Sequence, residues 1–126
     1  MNGRENGQGT EIFASGNSYT GEFVDRKFHG RGVFRWTSTG QVYRGEWQND
    51  QKNGQGTEVY SSGASYTGQF LNGNRHGMGT YRGRTGSVYE GHFSNNHRHG
   101  QGKLTYPDGC VEIGLFKNND FYGERM

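Results

Sequence analysis

Three histidines, His29, His76 and His99, stand immediately before glycine in this sequence, with His92 and His97 close to the last of them. Histidine ligates transition metals when several rings converge at about 2.0–2.1 Å from one ion. The chain also carries Gly77-Met78-Gly79, superficially like a phosphate loop, and a single cysteine, Cys110. Phosphate loops open a helix, and glycine at this density disfavours helix. Cys110 has no paired base in its local sequence, so it reads as a strand residue and not a nucleophile. Asp and Glu occur singly, with no apolar run around them to raise a pKa for acid–base work. No G-x-S-x-G, H-E-x-x-H or Walker sequence is present. These residues point away from an enzyme and imply no cofactor.

Whether the histidines converge depends on the elements that carry them. The chain is only 28% hydrophobic but holds 24 Gly, eight Tyr, eight Phe and two Trp. That is too few branched aliphatics for a two-layer core and too many aromatics for disorder. The remaining arrangement is a thin one, in which rings cover glycine backbone. The order along the chain is repetitive. Units open YTGEF at Tyr19, YRGEW at Tyr43, YTGQF at Tyr66 and YEGHF at Tyr89. A second signal follows: HGRG at His29, NGQG at Asn53, HGMG at His76 and HGQG at His99, its first glycine nine residues after the glycine of the opening. A third glycine closes each unit, at Gly40, Gly63, Gly86 and Gly109. Residues 6–23 and 53–70 agree at 13 of 18 positions, which establishes a true internal repeat. The boundaries are a half unit 1–18, full units 19–42, 43–65, 66–88 and 89–111, and a degenerate half unit 112–126. The whole forms one domain, 1–126.

Within a unit, Tyr19, Gly21 and Phe23 share one parity, and Thr20 and Glu22 the other. Gly30, Gly32, Phe34 and Trp36 alternate with Arg31, Val33 and Arg35 beyond a polar stretch at 24–28. Two period-2 segments joined by a polar turn predict a β-hairpin. Tandem hairpins predict an all-β, single-layer antiparallel sheet of about ten strands, elongated and curved, each hairpin adding about 10 Å. Stacking makes ladders: Tyr19, Tyr43, Tyr66, Tyr89; then Phe23, Trp47, Phe70, Phe93, Phe116; then Phe13, Trp36, Tyr60, Gly83, Tyr106. At about 10 Å per unit the histidines cannot share an ion. Each is expected to fix its turn by a hydrogen bond, as Asn53 would, and no metal site is expected.

These openings, the HGxG signals and the closing glycines resemble the MORN (membrane occupation and recognition nexus) repeat family over essentially the whole chain. Asn53 for His, Glu112 for Tyr and Gly83 within an aromatic ladder depart from the pattern. The resemblance implies a non-catalytic array that binds or organises other molecules. Such arrays occur in ciliary, flagellar and cytoskeletal proteins, in membrane-junction proteins and beside catalytic domains.

Two surfaces could bind. A one-layer sheet leaves rings open to a partner, so Trp36, Trp47, Tyr60, Tyr66 and Tyr106 are candidate anchors, with a notch at Gly83. The expected occupant is an amphipathic helix or an extended segment of a protein. The alternative is a basic edge of Lys27, Lys52, Arg75 and Arg98 facing anionic lipid. Net charge is +2, from 14 basic and 12 acidic residues, too balanced for a nucleic-acid binder. The single cysteine, the absence of an apolar run long enough to span a bilayer and the polar opening MNGRENGQGT set the expectation of a cytoplasmic chain. Placement in the cytoskeleton, cilium or flagellum, and association of copies with one another, are further expectations.

Overall fold

The computed structural model describes residues 6–123. Eleven strands follow one another: β1 (Asn6–Ile12), β2 (Ser18–Val24), β3 (Lys27–Arg35), β4 (Val42–Gln48), β5 (Gln51–Val59), β6 (Ser65–Leu71), β7 (Asn74–Arg82), β8 (Val88–Ser94), β9 (His97–Thr105), β10 (Val111–Lys117) and β11 (Asp120–Gly123). They form one open antiparallel sheet in chain order, as the tandem hairpins predicted.

The turns within units are tighter than the sequence suggested. Val24 pairs with Lys27 and Phe23 with Phe28, leaving only Asp25 and Arg26 in the turn. Both have positive φ, as do Asn49-Asp50, Asn72-Gly73, Asn95-Asn96 and Asn118-Asn119. This is the two-residue hairpin turn whose handedness matches the twist of the strands, and Asn, Asp and Gly adopt it most readily. The turns also lock to one another. The Asp50 carboxylate accepts from the amide of Phe28 at 2.8 Å. The Asn96 side chain accepts from Arg75, and that of Asn119 from Arg98.

Each word of the repeat has a physical cause. A row of glycines crosses the sheet, pairing as Gly9↔Gly21, Gly21↔Gly32, Gly32↔Gly45 and onward to Gly102↔Gly114. A Cβ on Gly21 would lie 2.4 Å from the Cα of Gly32, and one on Gly32 would lie 2.2 Å from the Tyr19 hydroxyl. The tyrosine ring therefore lies over bare backbone. Past the glycines the register shifts: Gly21 pairs with Gly32, but Phe23 pairs with Phe28. His29, Gly30 and Arg31 thus oppose Glu22 alone, a bulge that Gly30 admits with φ of 67°. The Tyr19 hydroxyl donates to the Glu22 carbonyl at 2.8 Å, and Tyr43, Tyr66 and Tyr89 do the same to residues 46, 69 and 92. That bond explains why the position holds Tyr and not Phe. Glu46 and Gln69 accept the amides of Gln55 and Met78 across their bulges, both at 2.8 Å.

The core is a zigzag of rings on one face. Tyr43 meets Trp47 and Phe70 edge-on at 5.0 Å, Tyr66 meets Phe70 and Phe93 at 5.1 and 5.0 Å, and Tyr89 meets Phe93 and Phe116 at 5.1 and 5.0 Å. Edge-to-face pairs contribute about 0.5–1.5 kcal/mol each beyond the area they bury. The four tyrosines are buried, which pushes the hydroxyls of Tyr19, Tyr66 and Tyr89 up to about 12. Burial is also the main cause of the upward shift at Tyr43, followed by the nearby Glu58 charge.

Candidate partner-binding face

The candidate anchors divide into two groups. Tyr66 is fully buried, and Trp47 is 6% exposed with its indole N–H donating to the Gly32 carbonyl at 3.1 Å. Both hold the core and offer no open ring. Trp36, Tyr60 and Tyr106 sit at the opposite ends of the strands, where each begins a short loop. The Tyr60 and Tyr106 amides bond to the carbonyls four residues on, Ala64 and Cys110, and Trp36 bonds to Gln41 across the loop that is one residue longer. Gly83 occupies the same place, its amide bonding to Ser87. Trp36 and Tyr60 are half-buried and Tyr106 is open. The three rings and Gly83 thus form one row along the loop side of the ring face.

The basic residues are arranged differently from the sequence expectation. Lys52, Arg75 and Arg98 pair with Trp47, Phe70 and Phe93, so they occupy the same site in successive hairpins. Lys27 pairs with Val24 and lies one register step away, on the other face. The structural counterpart of Lys52 in the first hairpin is Phe28, stacked on Tyr19 at 3.9 Å. The counterpart in the last is Phe121, against Phe116. The three cations take the role of these rings and fold over the core. Lys52 lies 5.6 Å from the centre of Tyr43 and 5.5 Å from Phe70. Arg75 lies 5.8 Å from both Tyr66 and Phe93. Arg98 lies 5.7 Å from Tyr89 and 5.6 Å from Phe116. Their aliphatic stems and charges cover the aromatics, in place of a row of cations projecting from an edge.

Sequence reasoning missed a buried carboxylate. Glu58, 3% exposed, forms an ion pair with Lys52, accepts from the Tyr60 hydroxyl at 2.6 Å and accepts from Gln41 at 3.2 Å. Tyr60 in turn accepts from Arg75 at 3.0 Å. Burial and the bond to Glu58 both raise the Tyr60 pKa. The signal available in the sequence was that Glu58 shares the parity of Gly56 and Tyr60.

The hollows follow this division. One of about 280 Å³ lies on the ring face between Arg75 and Arg98, lined also by Tyr81, Phe93, Asn96 and Asn119. A larger one, about 680 Å³, lies on the reverse face over the glycine row, among Thr20, Arg31, Arg44, Gln55, Thr57 and Thr67. It has no aromatic ring to anchor an occupant, so size does not single it out. Among the described residues no three His, Cys, Asp or Glu side chains come together as metal ligands. No helix there is long and apolar enough to cross a membrane.

Comparison with known proteins agrees with the repeat. The MORN repeat profile matches residues 1–18, 19–41, 43–65, 66–88 and 89–111. No curated protein matches the chain. Among solved structures, it is similar to the SAS-4 (dCPAP) TCP domain of Drosophila melanogaster, solved in complex with a proline-rich motif of Ana2 (dSTIL). The TM-score is 0.55 at 11% identity, over 86% of this chain and 59% of that one. The chain thus spans less than two thirds of that structure, and the likeness concerns the fold alone. With five matched units, four of them carrying the tyrosine, bulge and glycine architecture described above, the chain belongs to the MORN repeat family, a non-enzymatic binding type of repeat.

Proposed function

We propose that this chain is a non-catalytic scaffold that holds an extended segment of a partner protein along the ring face, in a cytoplasmic assembly of the cytoskeleton, cilium or flagellum. One observation carries this reading. The core rings are closed off by the Lys52, Arg75 and Arg98 lids, while Trp36, Tyr60 and Tyr106 remain accessible in a row beside them. Aromatic side chains in such a row are the usual anchors of protein interfaces. The similar TCP domain is described in complex with a proline-rich motif, and an extended proline segment suits a row of rings. The cellular setting follows from where the family's arrays are used.

A photo-crosslinking amino acid at Tyr106, on the ring face, and another at Lys103, on the reverse face, test it in cells. A protein captured from position 106 and not from 103 is expected. Its affinity should then fall at least about tenfold with Trp36→Ala or with Gly83→Trp. Gly83→Trp is tolerated locally, because a Cβ there meets only Ser87, at 3.6 Å and beyond. Capture from position 103 alone, or full affinity in both variants, would refute the reading.

A further inference from the structure

We propose that the hollow between Arg75 and Arg98 receives an acidic side chain of the partner segment. This rests on the reading that a protein segment lies along the ring face, and it names what that segment must carry.

The three lid cations are equivalent in place but not in what surrounds them. Lys52 has its countercharge inside the molecule, at Glu58, six residues along its own strand. Six residues from Arg75 stands Tyr81, and six from Arg98 stands Leu104. Arg75 reaches Glu58 only through the Tyr60 hydroxyl. It spends a second nitrogen on the Asn96 carbonyl at 2.8 Å, and its Nε is buried without a hydrogen-bond partner. Arg98 donates to the Asn119 carbonyl at 2.6 Å. Among the described residues, no carboxylate pairs with either guanidinium.

Gly83 opens the site further. Lys52 lies 5.8 Å from Trp36 and Arg75 lies 5.8 Å from Tyr60, each covered by a loop ring. The corresponding ring for Arg98 would come from position 83, which has no side chain. The hollow therefore has two guanidiniums, a floor of Tyr81 and Phe93, and two asparagines. Its polar groups are rich in donors and its net charge is positive. A half-buried cation short of a countercharge is costly, and a carboxylate from outside supplies one with the planar geometry a guanidinium pairs best. A hollow of about 280 Å³ between two side chains admits one such group.

The test is selection of a random peptide library, displayed on phage, against the parent protein and against Arg98→Gln. The Arg98 amide bond to Asn119 does not involve the side chain, so the variant keeps that turn contact; thermal melting checks its fold. Peptides selected on the parent should carry Asp or Glu at one fixed place, and changing it to Asn or Gln should weaken binding about tenfold. On Arg98→Gln the acidic preference should vanish while ring-face binding remains. In parallel, vesicles with and without anionic phospholipid are added to the parent. Selected peptides without an acidic preference, or a preference unchanged in Arg98→Gln, overturn this proposal and leave the ring-face reading standing. Failure to select any peptide overturns both. Vesicle binding that depends on Arg98, with no acidic preference among peptides, assigns the hollow to lipid instead.

Discussion

The hairpins that open at Tyr43 and at Tyr89 have the same framework and different covers. Each has a tyrosine over glycine, a hydroxyl bonded to the bulge carbonyl at 2.8 or 2.9 Å, and an edge-on ring from the next unit. In the first, the lid is a lysine sealed by Glu58, Tyr60 and Trp36. In the second, the lid is an arginine with Leu104 and Gly83 at the positions of the carboxylate and the ring. The difference shows how a strict repeat acquires a distinct local surface. Residues dictated by backbone geometry recur, and the positions above them are free to vary, so one unit is closed and another is open.

The strongest way to break this comparison is to attack the shared framework. A Cβ on Gly56 or Gly102 would lie 2.3 Å from the hydroxyl of Tyr43 or Tyr89. Either ring must then leave its seat and its bond. Gly56→Ala and Gly102→Ala should each cost about 3 kcal/mol in denaturant unfolding. A large inequality between them would show that the two frameworks are not equivalent.

The covers should respond unequally. Glu58→Ala leaves Lys52 without its countercharge and removes the acceptor of Tyr60, and should cost about 2 kcal/mol. Arg98→Gln breaks no ion pair but gives up the bond to the Asn119 carbonyl and the cover over Tyr89 and Phe116, and should cost about 1 kcal/mol. Calorimetric melts of the two variants decide this, and similar losses would mean that the open hairpin is as tightly sealed as the closed one.

The smallest effect lies in the hydroxyls. Tyr66→Phe orphans the bulge carbonyl of Gln69 and should cost about 1 kcal/mol at neutral pH. Burial raises the folded tyrosine pKa from an ordinary value of about 10 to about 12 at Tyr19, Tyr66 and Tyr89. The neutral form is favoured in the fold, so this stabilisation is complete below about pH 10 and is lost as pH rises towards about 12. Stability measured across that range should fall steeply, and less steeply in Tyr66→Phe. Equal slopes would contradict the shared role of these hydroxyls.

Much of this was legible in the sequence because period-2 parity and a fixed repeat survive without any tertiary knowledge. The strand pattern of Tyr19-Thr20-Gly21-Glu22-Phe23 and the ladder at Phe13, Trp36, Tyr60, Gly83 and Tyr106 are of that kind. The cations were not legible. Lys27 stands two residues before His29 and Lys52 one residue before Asn53, and in hairpins with the same turn and bulge that one-residue step sets Lys27 opposite Val24 and Lys52 opposite Trp47, on opposite faces. Nor does parity tell whether a long side chain projects from the sheet or lies down on it. That is decided by the rings it can cover: Arg75 lies over Tyr66, while Trp47 is closed in by Tyr19, Phe28 and Tyr43.

The strand order has one more consequence. Every hydrogen-bonded neighbour in this sheet is also the neighbour in sequence. Each closure spans a short turn or loop, so its entropy cost is small, and folding can begin at any hairpin and zip outward. Amide exchange should accordingly be slowest at β5–β6 and quicken towards β1 and β11. A whole hairpin can also be gained or lost with only one seam to heal. The length of the ring face then changes in steps of about 10 Å, so under the proposed function the length of segment held is set by the number of hairpins strung along the chain.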